Sequence, residues 1–259
     1  MKVFLLCATW THASIALAQS AESRPPLFTK NDAIWSAAAL VGSIALSTAD
    51  VRIAAGFNNE THRTASRDRL ARNFAKVQEG TLTVGNLALW GIGRLTGLDA
   101  LADITFHAAE SVVVGSAASQ VIRGPLGRAR PHVNFDDQYN FKFFGGFTDF
   151  DHRAFPSIHM ASSVAVATVY TLETHRRAPS ATWFVAPVAY LLAAGPGISR
   201  MYTGQHWASD ILAGAFVGAM AGTKIVRYNH SVKPDNRVNR VFLGRDATSG
   251  LSLRYSIDF

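Results

Sequence analysis

The sequence contains almost no cysteine: its single thiol, Cys7, lies near the start of the 259-residue chain. One thiol forms no internal disulfide, and beyond Cys7 the chain offers no cysteine nucleophile and no thiolate metal ligand. Charged residues are also sparse at 17%, whereas apolar residues make up 48% of the chain. This composition excludes a globally disordered protein and is sufficient for one large buried core.

Long uninterrupted apolar runs are missing as well. A membrane-spanning helix needs about 20 consecutive apolar residues. Charged residues interrupt most of the apolar stretches: Arg94, Asp103, Glu110, Glu173 and Lys224. Residues 178–199 are free of charge but include Pro187 and Pro196, and the mean hydropathy of the chain is only +0.11. We therefore expect a soluble or peripheral domain with peripheral membrane contact at most, and an integral inner-membrane protein is the alternative.

The first 18 residues have the composition of an export signal. Lys2 is followed by an apolar run over residues 3–8, and small residues stand at 16–18. This order predicts a signal peptide cleaved after Ala18 and export to the periplasm, although a frayed N-terminus has a similar composition. Residues 19–31, which are polar and rich in proline, predict a linker.

A formal net charge of +7 favours anionic partners, among which are phosphate esters, phospholipid headgroups and nucleic acid. No nucleic-acid-binding motif is present in the sequence, so we expect no nucleic-acid partner. The sequence carries no signal for an oligomeric state.

Helical stretches rich in small residues predict an all-α fold of about six core helices within a domain of residues 32–230. The predicted helices are 32–50, 67–96, 98–122, 158–175, 181–199 and 206–227. The tail differs, because apolar and polar residues alternate from Leu251 to Phe259 with the period of a half-buried strand. Residues 236–259 therefore predict a short C-terminal β-hairpin that docks on the helical core.

Three clusters of residues carry chemistry. The first, residues 123–131, holds Arg123, Arg128 and Arg130 among glycines and prolines, which predicts a loop rather than a helix. Guanidinium groups offer forked donors that match phosphate oxygens. Taken alone, a solvated surface loop explains this cluster as well.

The second cluster is Pro156-Ser157-Ile158-His159 at the start of a predicted helix. A serine there caps the helix, and the same geometry aims free N–H groups at an anion. His159 would then be within reach of that anion as a proton donor. Taken alone, a capping turn beside an incidental histidine explains the pattern.

The third cluster begins with Ser199-Arg200 and continues to His206 and Asp210. A spacing of four residues places the imidazole and the carboxylate on one helical face. A carboxylate on one ring nitrogen leaves the other as a nucleophile or base. The apolar neighbour Trp207 argues against a merely exposed His–Asp pair.

Together, in order and spacing, the three clusters resemble the motifs of the PAP2 (phosphatidic acid phosphatase type 2)/vanadium haloperoxidase superfamily. Its pattern is Lys, six residues, Arg-Pro; then Pro-Ser-Gly-His; then Ser-Arg, five residues, His, three residues, Asp. The third part fits without a mismatch, whereas Arg123 replaces the lysine of the first part and Ile158 the glycine of the second. The resemblance covers about residues 100–226.

The resemblance implies a phosphoric monoester hydrolase that needs neither metal nor cofactor. His206 is similar to the nucleophile that forms a phosphohistidine, Asp210 to the residue that orients it, and His159 to the general acid. The remaining matched positions resemble the phosphate-binding groups: Arg123, Arg130, Arg200, the Ser157 hydroxyl and the backbone N–H of Ile158.

The same resemblance leaves alternatives open. The family includes lipid phosphatases and soluble periplasmic acid phosphatases, so the implied substrate is a phosphate ester or a lipid phosphate. In a vanadate-dependent haloperoxidase the pocket would hold vanadate on His206, although this chain is short for that group. If the family glycine is needed for close backbone approach, Ile158 would make the protein a weak or inactive anion-binding member.

Overall fold

The computed structural model describes residues 26–58, 60–231, 241–246 and 250–255. The expected signal peptide and residues 19–25 of the linker lie outside the described residues. Within these ranges the chain is predominantly helical, which confirms the all-α class. The eight α-helices are α1 (Lys30–Ser47), α2 (Asp50–Asn58), α3 (Ala65–Ala75), α4 (Glu79–Thr96), α5 (Asp99–Leu126), α6 (Ile158–Arg177), α7 (Thr182–Tyr202) and α8 (Ala208–Ser231).

The expected number of helices was too small. The single helix expected over 67–96 is α3 and α4, because the chain turns at residues 76–78 and a new helix begins there. Thr81 Oγ1 stabilises this turn by accepting from Gln78 N at 3.0 Å and donating to the Lys76 carbonyl at 2.8 Å. The helix expected to end at residue 50 ends at Ser47, and α2 follows at a bend of 62°.

Helix α6 is central and packs against α5, α7 and α8. Small residues allow a very close approach between α6 and α8. A Cβ atom on Gly214 would lie 2.4 Å from the Ser157 carbonyl oxygen, and one on Gly218 would lie 2.2 Å from that of Ala161. The start of α6 is therefore fixed against the start of α8.

Two helical stretches, Pro179–Tyr202 and Ala208–Ser231, are long and apolar enough to cross a membrane, and the bent pair of α1 and α2 would make a third. Pro187 and Pro196 lie inside α7 without ending it. The charge of Lys224 in α8 is buried and paired with Asp32 of α1, so it does not face the surroundings. Large apolar side chains on α7 point outward, including Trp183 at 88% exposure. These features favour membrane association over the soluble domain that the sequence suggested.

The backbone of Val241–Asp246 (β1) pairs antiparallel with Gly250–Tyr255 (β2), with Val241 opposite Tyr255. Residues 236–240 and 256–259 of the expected hairpin lie outside the described residues. Docking of this segment on the helical core stays a prediction.

Candidate active site

The three sequence clusters meet at one end of the bundle, where α5 and α7 end and α6 and α8 begin. Five side chains from these helix ends and the adjoining loops form what we call the arginine pocket: Arg123, Arg130, His159, Arg200 and His206. His159 interacts electrostatically with the other four.

Arg123 reaches the pocket from a helix rather than from a loop. Helix α5 continues through Pro125 to Leu126, so the expectation of a loop over all of residues 123–131 was wrong for its first part. The helix ends at Gly127, which adopts a left-handed φ of 59°, and a Cβ atom there would lie 1.8 Å from the Lys142 carbonyl oxygen. Glycine is therefore required where the chain turns from α5 toward Arg130.

Arg130 and Arg200 come from different segments and share one partner. Arg200 Nη2 donates to Gln205 Oε1 at 3.1 Å, and Arg130 Nη1 donates to the same oxygen. The Arg130 guanidinium also lies over the Phe150 ring, 3.9 Å from its centre. This cation–π contact helps to fix the orientation of the guanidinium. Gln205 thus keeps two like charges side by side.

His206 precedes α8 and is buried beneath these arginines. Its Nδ1 lies 3.5 Å from Asp210 Oδ2, which also accepts the Trp207 N–H at 2.7 Å. The carboxylate therefore faces Nδ1 of the imidazole, an arrangement that leaves Nε2 for chemistry. The spacing of four residues does bring this pair together.

The second cluster forms the first turn of α6. Ser157 is the N-cap, and its side chain accepts from Met160 N at 3.5 Å, while its own N–H donates to the Asp210 carbonyl at 3.0 Å. Ile158 is buried at the first helical position, and His159 follows it half-buried in the pocket. The dipole of α6 directs partial positive charge at this end.

Burial and positive neighbours set the charge state of the pocket. Burial, followed by the positive charge of Arg200, lowers the pKa of His159 to about 3. Burial also lowers the pKa of His206, although Asp210 opposes that shift. Burial and the charge of Arg200 lower the pKa of Arg130 to about 10. At neutral pH the pocket therefore holds neutral imidazoles and charged arginines.

Three nitrogens of the pocket are buried without a hydrogen-bond partner among the described residues: Arg130 Nε, Arg200 Nε and His159 Nδ1. Buried polar atoms are normally paired, so such a concentration marks a place where a ligand supplies the missing acceptors. The arrangement suits a compact anion with several oxygens.

Arg128 lies in the first cluster, but nothing in the sequence indicates that it binds buried carboxylates instead of facing the pocket. Its Nη1 donates to Asp210 Oδ1 and to Ser209 Oγ, both at 2.7 Å, and its Nη2 donates to Asp50 Oδ2 at 2.8 Å. Its Nε donates to the Gln138 carbonyl at 2.9 Å. We call Asp50, Arg128, Ser209 and Asp210 the Arg128 network. It holds Asp210 in place from the side opposite His206.

Two further residues escaped the sequence reasoning. Gln205 immediately precedes His206, and this adjacency is the only sign in the sequence that Gln205 belongs to the site. Glu79, at the start of α4, interacts electrostatically with both Arg123 and Arg200 and sets a negative charge beside the pocket. No motif links Glu79 to residues more than 40 positions later, so only the fold reveals it.

Comparison with known proteins points to one family. Residues 105–233 match the model of the PAP2 superfamily. The lipid A 1-phosphatase of Porphyromonas gingivalis is 42% identical over 70 residues, which are 27% of this chain and 15% of that protein. The match thus spans a small part of that relative.

Solved structures are similar to this chain at low sequence identity. The first transmembrane PAP2 type phosphatidylglycerolphosphate phosphatase from Bacillus subtilis superposes with a TM-score of 0.55 and 16% identity, over 80% of this chain and 100% of that chain. LpxE from Aquifex aeolicus gives a TM-score of 0.48 and 18% identity, over 69% of this chain and 95% of that chain. From the family match, the shared fold and the motif residues gathered at one end of the bundle, it follows that the helical domain of this chain belongs to the PAP2 superfamily.

Proposed function

We propose that this protein is a metal-independent phosphatase that hydrolyses a lipid phosphate through a phosphohistidine on His206. The observation that carries this proposal is the surplus of unpaired positive donors in a buried site. Three arginines and the start of α6 converge on a volume in which buried nitrogens have no acceptor among the described residues. A phosphoryl group supplies both the negative charge and the oxygens.

In the first step, His206 Nε2 attacks phosphorus and the P–O bond to the leaving group breaks. Asp210, held by Arg128 at 2.7 Å, faces Nδ1 and stabilises the charge that develops on the imidazole. The arginines balance the charge on the non-bridging oxygens, so this chemistry needs no metal ion. In the second step, water attacks phosphorus, the P–N bond breaks, and phosphate and neutral His206 are released.

His159 is assigned to proton transfer in both steps. It gives a proton to the leaving oxygen in the first step and takes one from the attacking water in the second. With the pocket empty, the pKa of His159 is about 3 because of burial and the nearby arginines. A bound phosphate adds opposite charge and raises that pKa, so the substrate itself brings His159 into its acid form.

A lipid substrate is supported by three observations. The relative with 42% identity over 70 residues is named a lipid A 1-phosphatase. The described part of the chain exposes apolar helices that favour membrane association. A groove of about 600 Å³ between α2, α3 and α7 is lined mainly by apolar side chains and reaches Ser199, next to Arg200. An acyl chain in this groove would leave its phosphate beside the pocket.

We further propose that the pocket faces the periplasm, which is consistent with the export signal that the sequence predicts over residues 1–18. We also propose that Ile158 preserves activity. It occupies the first position of a regular helix, and Phe144 is the one non-glycine residue with a positive φ in the described ranges. The backbone at 158 therefore has no need of glycine.

The test is phosphate release from p-nitrophenyl phosphate and from dispersed phosphatidic acid, with EDTA present. Wild type is compared with His206→Ala and with His175→Ala, an exposed histidine on α6. We expect faster release from the lipid, loss of turnover in His206→Ala, and normal turnover in His175→Ala. A phosphoenzyme that is labile to acid and stable to base should accumulate after rapid quenching of wild type.

These measurements test metal independence, lipid preference and the phosphohistidine separately. Turnover that EDTA abolishes at once would contradict metal independence. Equal rates for both esters would contradict the lipid preference while leaving the mechanism intact. Undiminished turnover in His206→Ala would overturn the phosphohistidine itself.

A further inference from the structure

A second cluster of titratable side chains lies outside the arginine pocket. Glu173 of α6 is fully buried, and its Oε1 lies 2.7 Å from His107 Nδ1 of α5 and 2.7 Å from His230 Nε2 of α8. The three ligand atoms all lie within 4.8 Å of one another. We call these residues the His–Glu–His cluster.

The cluster lies at the opposite end of the bundle from the pocket. Along α6, Glu173 follows His159 by 14 residues, which is about 21 Å at 1.5 Å per residue. On α5, His107 precedes Arg123 by 16 residues, or about 24 Å. The cluster therefore has no part in the phosphoryl transfer, and it joins the three helices that carry most of the catalytic groups.

The donor set fits a divalent transition metal ion. Two imidazole nitrogens and one carboxylate oxygen are ligands that Zn²⁺ accepts, at about 2.0–2.2 Å from the metal. Tetrahedral ligands at that distance are about 3.3 Å apart. Each imidazole nitrogen would therefore move slightly away from Glu173 Oε1, from 2.7 Å, and the two nitrogens, which lie within 4.8 Å of each other, would settle at about that same separation. Each imidazole changes tautomer, so that the nitrogen that donates to Glu173 in the absence of metal offers its lone pair instead.

A second observation points to a ligand. Glu173 Oε2 is buried and has no hydrogen-bond partner among the described residues; Arg177 Nε lies 3.6 Å away. A buried carboxylate oxygen without a hydrogen bond is costly, and a metal ion would offset that cost. Glu110 adds negative charge close to His107, and the side chain of His230 is 24% exposed, which provides a path of entry.

We propose that the His–Glu–His cluster binds one Zn²⁺ ion, which fastens α5, α6 and α8 together at the end of the bundle remote from catalysis. The role is structural, because the ligands come from three helices and none of them touches the arginine pocket. The alternative is a hydrogen-bonded cluster that holds no metal.

The experiment uses the full-length protein in detergent, purified without a histidine tag, stripped with a chelator and dialysed. Co²⁺ is titrated as a spectroscopic probe and then displaced by Zn²⁺. We expect a visible absorption band that saturates at one Co²⁺ per chain, and a rise in Tm of about 5 °C with excess Zn²⁺. His175→Ala, on the same end of α6, should behave as wild type.

Two variants make the test decisive. Glu173→Gln keeps the volume of the side chain, and His230→Ala changes a partly exposed ligand whose loss the fold should tolerate. Each should lose the absorption band and the rise in Tm. Absence of both signals in wild type, or their persistence in both variants, would establish a hydrogen-bonded cluster only.

This outcome is independent of the proposed function. Initial rates of phosphate release are measured on the same metal-free and Zn²⁺-loaded samples. Metal binding without turnover would leave the zinc site standing and overturn the phosphatase, whereas turnover without metal binding would overturn only the zinc site.

Discussion

The arginine pocket and the Arg128 network lie side by side at one end of the bundle, yet their charges are balanced differently. In the network, one guanidinium directs its donors to Asp50, Ser209 and Asp210, and the carboxylates are satisfied in return. In the pocket, Arg130 stands two residues further along the chain and keeps a buried Nε without an acceptor among the described residues. The same residue type is thus structural where it is saturated and available for a ligand where it is not. Asp210 belongs to the network and faces His206, so the saturated region orients the unsaturated one.

The largest effect on turnover is expected from Arg130→Ala. The loss of one guanidinium from the phosphate oxygens should lower kcat/KM about 100- to 1000-fold. Its removal also relieves repulsion from Arg200, so Tm should stay within a few degrees of wild type. Steady-state kinetics and thermal melting on the same preparation measure both, with exposed Arg72→Ala as the control. A rate within threefold of wild type would show that Arg130 does not contact the substrate.

Whereas Arg130→Ala chiefly lowers turnover, Arg128→Ala should chiefly lower the stability of the protein. It leaves the carboxylates of Asp50 and Asp210 buried without their cation, which costs about 3–5 kcal/mol. Chemical unfolding in detergent should show that loss, and added phosphate should not restore it, because phosphate does not enter the network. Asp50→Asn should lose less, since the amide still accepts from Arg128. If Arg128→Ala melted like wild type, the distinction between the two regions would fail.

The sequence predicts the pocket better than the network, and the reason is physical. His206 and Asp210 are four residues apart, and a helical spacing alone brings them together. Arg128 and Asp50 are 78 residues apart, and their pairing depends on the bend between α1 and α2, which no local pattern announces. The four helices whose ends surround the pocket were predicted to within a few residues. The break between α3 and α4 was missed because its signal is small: Gln78 caps α4, and Thr81 Oγ1 accepts from its N–H.

The sequence analysis favoured a soluble or peripheral domain over a membrane-associated one for a related reason. Charges such as Lys224 were counted as interruptions, but tertiary contacts bury and pair them. Pro187 and Pro196 were counted against a membrane span, but they lie inside one continuous helix that is apolar enough to cross a membrane. A one-dimensional pattern does not show which interruptions the fold conceals.

Acidification should separate the two regions further, because the pocket holds two histidines whose pKa values are lowered, whereas the Arg128 network holds no histidine. The pKa of His159 is about 3 in the folded protein, held down by burial and by Arg200, against an ordinary value of 6.5. Between these values the unfolded chain binds more protons, so stability decreases as pH falls from about 6.5 toward 3. Melting from pH 7 to pH 4 should show this decrease, and His159→Gln should flatten the slope. Orthovanadate or phosphate should also flatten it, because a bound anion raises the pKa of His159.

Two comparisons guard that result. His175→Ala should retain the full slope, since this exposed histidine lies at the other end of α6. A slope that is identical in wild type and His159→Gln would mean that other groups govern acid stability.

The smallest effect on turnover is expected from Ile158→Gly. Close approach of phosphate to the first turn of α6 depends on backbone N–H groups, which both residues provide. Ile158 is buried at the first position of a regular helix, so we expect its side chain to add apolar packing without crowding the anion. We expect kcat/KM to change less than threefold, while the loss of buried apolar area lowers Tm. Ile158→Val, which retains most of that area, should match wild type in both. A large gain of activity in Ile158→Gly would mean that the isoleucine obstructs the pocket, and the pocket would then be an anion site whose catalysis is suppressed at one position.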